Sequence, residues 1–130
     1  MNKASIRKKI MKQMKEIYYS DNKEYIDWMG YYITEDNYPT YHHIIKRESL
    51  KKEEKSIEAT IENGAYLGKE SHEMLHRIEL INKELYDAWN NLFLLINKNK
   101  CYPSDELLKL IFALRNKTED IINNDNTYVK

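Results

Sequence analysis

Cysteine is nearly absent from this chain, with Cys101 alone among 130 residues. A single thiol excludes an internal disulfide framework and any zinc knuckle built from cysteine pairs. Long apolar runs are missing as well. No stretch approaches the roughly 20 residues that cross a bilayer, and the basic N-terminus lacks the apolar core of a secretory signal. An intracellular, cytoplasmic protein is expected. Nor is there an excess of either charge, since 21 Lys and Arg balance 21 Asp and Glu. Nucleic-acid binders often carry a basic excess, so the balance argues against extensive contact with DNA while leaving room for a small basic patch. No internal repeat or long linker divides the chain. With 42% hydrophobic and 32% charged residues it reads as one globular domain over 1–130, large enough for an ordinary core.

The hydrophobic pattern predicts an α+β fold. Ile6, Ile10, Met14 and Ile17 form a helical stripe within 1–20. Lys3, Arg7, Lys8, Lys9, Lys12 and Lys15 make that helix basic, with Glu16 its only acid. Two readings stay open for this face: a solvated surface, or an arm that contacts phosphate. Residues 28–33 and 38–45 are rich in aromatic and β-branched residues and flank the turn cluster 34–37, which predicts a β-hairpin. Pro39 fits an edge or the start of its strand. The charged stretch 46–60 reads as an exposed loop. A short strand over 61–67 follows, entered through Asn63 and Gly64, with Ser71 as the next helix cap. Leu75, Ile78, Ile81, Leu85, Trp89, Leu92 and Ile96 then predict one helix of about 25 residues from His72, broken at 97–100. Pro103, Ser104 and Asp105 open a last helix over 103–122.

The informative residues are the histidines. All four fall between positions 42 and 76: His42 and His43 are adjacent, and His72 and His76 are four apart. Histidine is the commonest metal ligand and the side chain that titrates nearest neutrality. Residues four apart on a helix share a face, with Cβ atoms about 5–6 Å apart, which suits two imidazoles on one cation. A position near the helix N-terminus disfavours imidazolium and keeps the rings able to bind metal. Strand neighbours point to opposite faces, so His42 and His43 take different tasks. One can turn toward the helix and complete a three-histidine site. The other can stay unmetallated beside it as a base able to activate water. Asn63 can fix the loop or orient that base. Against this stands the plainer reading of scattered surface histidines or a purely structural zinc site.

Together, His43, Asn63, His72 and His76 resemble the His-Asn-His signature of the HNH endonucleases, whose core is a ββα-metal motif. Asn63 precedes His72 by nine residues and His72 precedes His76 by four, similar to the family's Asn-x8-His-x3-His form. The likeness covers about residues 38–80, roughly a third of the chain, within an expected core of 25–98. It implies that His42, His72 and His76 hold one divalent metal ion, and that His43 is the general base. It gives Asn63 the catalytic task of positioning the loop or that base. The implied activity is metal-dependent hydrolysis of phosphodiester bonds in DNA. Imidazole ligands suit Zn or Ni, while Mn or Mg can serve when phosphate oxygens complete the shell. Lys46, Arg47, Lys69 and Arg77 flank the motif closely enough to contact phosphate as a group. Tyr41 and Tyr66 read as core or stacking residues, and Trp89 and Phe93 as core. The chain departs from the family in lacking cysteine pairs, in having Lys and Glu where glycines are common in the variable loop, and in showing no second DNA-recognition domain. Those departures and the zero net charge sustain a rival reading. In it the protein, encoded as under the nuclease reading by a phage or mobile genetic element in a bacterial host, keeps the scaffold but acts by contact, inhibiting a host defence complex or assisting packaging.

Overall fold

A computed structural model describes residues 3–19, 26–45, 60–99 and 101–125. The described residues form helix α1 (Lys3–Tyr19), strands β1 (Pro39–His43) and β2 (Gly64–Gly68), and helices α2 (Lys69–Ile81), α3 (Lys83–Asn99) and α4 (Asp105–Asn123). The fold is α+β. Its two strands pair antiparallel, with Pro39 opposite Gly68 and His43 opposite Gly64. Among the described residues no helix is long and apolar enough to cross a membrane.

Helix α1 buries Ile10 and Met14, and Ile6 packs at the edge of the core. The four-residue step then continues to Tyr18, so Ile17 turns to the surface. Tyr18 meets Trp28 edge-on at 5.0 Å and donates its hydroxyl to Asn97 Oδ1 at 2.8 Å. Asn97 donates in turn to the carbonyls of Ile61 and Gly64, at 2.6 and 2.7 Å. Helix α3 therefore runs through 97–99, where the sequence pattern suggests a break. Asn97 belongs to the helix because its amide satisfies buried carbonyls, a role that apolar periodicity does not register. At the other end of the core, Trp89 Nε1 donates to Thr118 at 2.8 Å and locks α3 against α4. Ser104 caps α4 through the Leu107 amide, and the helix opens within the 103–105 segment expected to start it.

The sheet differs from the expected hairpin. Residues 28–33 do not form a strand beside 38–45; β1 pairs with β2 instead. The chain turns at Gly30, whose φ of 91° is costly for any side chain, and closes a single bridge between Ile26 and Tyr32. Asp27 explains why. Its Oδ1 accepts from the amides of Met29 and Tyr31, both at 3.0 Å, and its Oδ2 from Gly68 at 2.8 Å. A carboxylate that satisfies local amides replaces the ladder bonds a strand would make. The turn at 34–37 does form, with Asn37 N donating to Thr34 Oγ1 at 3.0 Å.

Two helix boundaries also move. Helix α2 begins at Lys69, so Ser71 sits inside it as a buried residue and not at its cap. The cap comes from elsewhere: Asn37 Oδ1 accepts from Glu70 N at 2.8 Å and Ser71 N at 3.3 Å. The expected single helix is divided at Asn82, whose φ of −154° and ψ of 89° leave the helical region. Asn82 Oδ1 then accepts from Leu85 N at 3.0 Å and starts α3. The apolar stripe runs across the break unbroken, which is why periodicity alone reads one helix.

Gly68 makes the remote cap possible. A Cβ at this position would fall on the Asn37 carboxamide. Asn37 is held in place by donating to the Tyr32 carbonyl at 2.9 Å. Gly68→Ala should therefore displace the cap and cost about 1–3 kcal/mol, the usual range for losing a buried hydrogen-bonded partner. Urea denaturation checks this, and an unchanged midpoint would rule the remote cap out as a stabilising contact.

Candidate metal centre

The alternation of β1 places Thr40 and His42 toward α2, and Tyr41 and His43 on the opposite face. Helix α2 follows β2 directly, so its first turns lie beside β1. His72 and His76 stack one turn apart, with ring centroids 4.7 Å apart. The His42 ring lies edge-on to both, at 5.2 Å from His72 and 5.9 Å from His76. One ligand atom from each of the three lies within 4.8 Å of the others, close enough to hold one metal ion.

Burial grades the site. His42 is 2% exposed at its floor, His72 is half-buried, and the His76 side chain is 50% exposed at its mouth. Two ligand atoms on a tetrahedral zinc lie about 3.3 Å apart, so modest side-chain rotation would close this set on an ion. Three neutral imidazoles are a donor set suited to Zn or Ni. Three protein ligands would also leave coordination positions for water or substrate.

Burial also keeps two of the rings, those of His42 and His72, neutral. It is the main cause that lowers the His42 pKa to about 3; charge on His72, His76 or His43 would lower it further, while the Asn90 hydrogen bond opposes the fall. Burial and then the neighbouring His76 and His43 lower His72 to about 4, with Glu73 opposing. In the unfolded chain both rings titrate near 6.5. The folded protein therefore resists protons that the unfolded chain accepts, so stability falls as pH drops from about 6.5 through about 4 and 3. By pH 5 the buried His42 ring should cost the metal-free protein on the order of 2 kcal/mol, with a smaller share from His72, which solvent screens more. Chemical denaturation at pH 7 and pH 5 in chelator measures the loss. Equal stability at both values would show that these rings are not held neutral.

His43 sits next in the strand, its ring edge-on to Tyr41 at 4.8 Å. It is near enough for its charge to act on both His42 and His72. Asn63 is buried, and its amide binds the backbone of Ile45 at both ends: Oδ1 accepts from Ile45 N at 2.8 Å, and Nδ2 donates to Ile45 O at 3.0 Å. Ile44 N adds a bond to the Asn63 carbonyl at 2.9 Å. Of the two tasks open to Asn63, this geometry serves the first, fixing the chain just after His43. Lys69 and Arg77 lie on α2 to either side of the histidine pair, and Lys69 pairs with Glu73 at 3.3 Å. Lys46 and Arg47 lie outside the described residues, as does most of the expected 46–60 loop. On α1 the side chains of Lys8, Lys9, Lys12 and Lys15 are exposed.

Three polar neighbours are absent from the sequence reading. Thr40 Oγ1 lies 2.9 Å from His72 Nδ1, Glu79 Oε1 lies 3.3 Å from His76 Nδ1, and Asn90 Oδ1 lies 2.8 Å from His42 Nε2. Thr40 is two residues before His42 in a strand and Glu79 is three after His76 in a helix, so period alone places both beside the site. Asn90 carries no such signal, because only the packing of α3 brings it there. Compared with known proteins, the chain matches no family model, no curated protein and no solved structure.

Proposed function

We propose that this chain is a divalent-metal-dependent endonuclease of the His-Asn-His type, hydrolysing phosphodiester bonds in DNA. The observation that carries the reading is the convergence of His42, His72 and His76, with His43 adjacent to the ligand set in β1. A bound divalent ion would supply charge stabilisation at the scissile phosphate and the leaving oxygen. His43, left unmetallated, takes the proton from the attacking water as general base. Asn63 clamps the backbone of Ile45 and so holds the end of β1 that carries His43. Lys69 and Arg77, with Lys46 and Arg47, supply positive charge to neighbouring phosphates.

A second reading has its own support. Zero net charge and the pairing of Lys69 with Glu73 weaken the pull on a polyanion. A scaffold that keeps the metal but acts by contact with a protein partner fits those two facts.

Plasmid nicking with a panel of Zn, Ni, Mn and Mg decides between them. The nuclease reading expects supercoiled DNA to become nicked or linear in a metal-dependent manner that chelator abolishes. A pure protein that binds zinc yet cleaves neither DNA nor RNA under any of these ions leaves the binding scaffold.

A further inference from the structure

Asn90 belongs to α3, outside the strand–strand–helix unit that supplies the three histidines, yet its Oδ1 lies 2.8 Å from Nε2 of His42 across 48 residues of chain. An amide oxygen only accepts a hydrogen bond, so the shared proton sits on Nε2. A neutral imidazole carries one proton, which leaves the lone pair of His42 on Nδ1. We infer that Asn90 is a positioning residue of the metal centre: it fixes His42 in the Nε2–H tautomer and so presents Nδ1 to the ion. This rests on the reading of the three histidines as metal ligands.

The same accounting runs through the other two rings. The Thr40 hydroxyl has one proton, and it donates that proton to the Leu67 carbonyl at 2.8 Å. Toward His72 Nδ1 the hydroxyl therefore accepts, and His72 offers Nε2. His76 turns Nδ1 toward the Glu79 carboxylate, an acceptor, and likewise offers Nε2. The donor set is mixed: one Nδ1 from the strand and two Nε2 from the helix. Asn90 is the contact that makes His42 the exception. Phe93 bounds the His42 ring edge-on at 5.7 Å but offers no acceptor. With His42 almost wholly buried, removing the amide would leave its N–H without compensation or let the ring turn.

Nitrogen-detected NMR of the full chain, labelled with ¹⁵N-histidine, tests this in chelator and again with one equivalent of zinc. His42 should show a protonated Nε2 in both states, with zinc perturbing its Nδ1. A proton on Nδ1 in the metal-free protein, or zinc on Nε2 of His42, overturns the inference and leaves the three-histidine reading intact. Zinc that perturbs none of the three rings overturns both. Asn90→Leu removes the acceptor at a position lining an open cleft of about 570 Å³, where an apolar side chain of similar size has room. Zinc affinity should then fall by about 10–100-fold, the usual effect of losing an outer partner of a ligating histidine, and the His42 tautomer should become mixed. Asn90→Asp retains an acceptor and should restore the Nε2–H tautomer and most of the affinity. Wild-type tautomer and affinity in Asn90→Leu would overturn the proposal. If that variant fails to fold, the Asn90→Asp protein and the wild-type spectra decide the matter.

Discussion

Replacing His43 by alanine should lower phosphodiester cleavage by about 10²–10⁴-fold, the usual contribution of a general base, while zinc affinity stays within a few-fold of wild type. The separation follows from strand geometry. His43 and His42 are neighbours in β1, so their side chains leave opposite faces, and only His42 joins the set within 4.8 Å of His72 and His76. The structural cost should be small. The His43 ring is half-buried and meets Tyr41 edge-on, a contact worth on the order of 1 kcal/mol. Asn63 binds Ile44 and Ile45 through the backbone of that segment, so the strand end stays anchored when the imidazole is removed. Three measurements on one preparation are needed: zinc affinity by calorimetry, nicking rate, and thermal midpoint. Normal cleavage by His43→Ala would exclude this ring as the base. Lost zinc binding with an intact fold would instead place His43 among the ligands and overturn the division of labour between the two neighbours.

The α+β class and the clustering of His42, His72 and His76 were legible in the sequence, the pairing of the strands was not, and the reason is physical. Proximity of ligand-type side chains depends on residue type at fixed local spacing, and two periods set it here: alternation along β1 separates His42 from His43, and the helical turn aligns His72 with His76. What joins these pieces is not local. The strand partner of β1 proved to be β2 instead of 28–33, because Asp27 takes up the amides of Met29 and Tyr31, and Gly30 turns the chain back. A pattern of apolar residues records which positions can avoid water, and Trp28 and Met29 do so from a loop as fully as they would from a strand, while Tyr32 in the same run is exposed. The cap of α2 is likewise supplied by Asn37, more than thirty residues earlier in the chain. The break at Asn82 was closer to readable, since Asn is a preferred cap and stands three residues before Leu85, whose amide it accepts from. Asn90 and Asn97 were the hardest to see. Both are amides on a helix whose apolar stripe already accounts for its burial, and each is fixed by a group that only tertiary packing delivers.

His76→Ala should abolish zinc-dependent stabilisation and cleavage together, and it is the cleanest ligand to remove. Its side chain is 50% exposed and lies outside the core cluster, so the substitution leaves no buried cavity. In wild type, an ion that binds only the folded chain stabilises it by about 2.7 kcal/mol at a hundredfold excess over Kd. For a domain of this size that corresponds to a rise in Tm of roughly 10 °C. The variant keeps only His42 and His72, and its zinc affinity should drop by more than the 10–100-fold seen when an outer partner is lost. Its Tm should therefore be nearly the same with zinc and with chelator, and close to that of the chelated wild type. Differential scanning calorimetry of both proteins at matched zinc concentrations gives the comparison directly. A low Tm even in chelator would show that His76 stabilises the fold by itself, for example through its contact with Glu79. Equal stabilisation of variant and wild type by zinc would remove His76 from the ligand set, and the convergence on which the nuclease reading depends would then be no more than proximity.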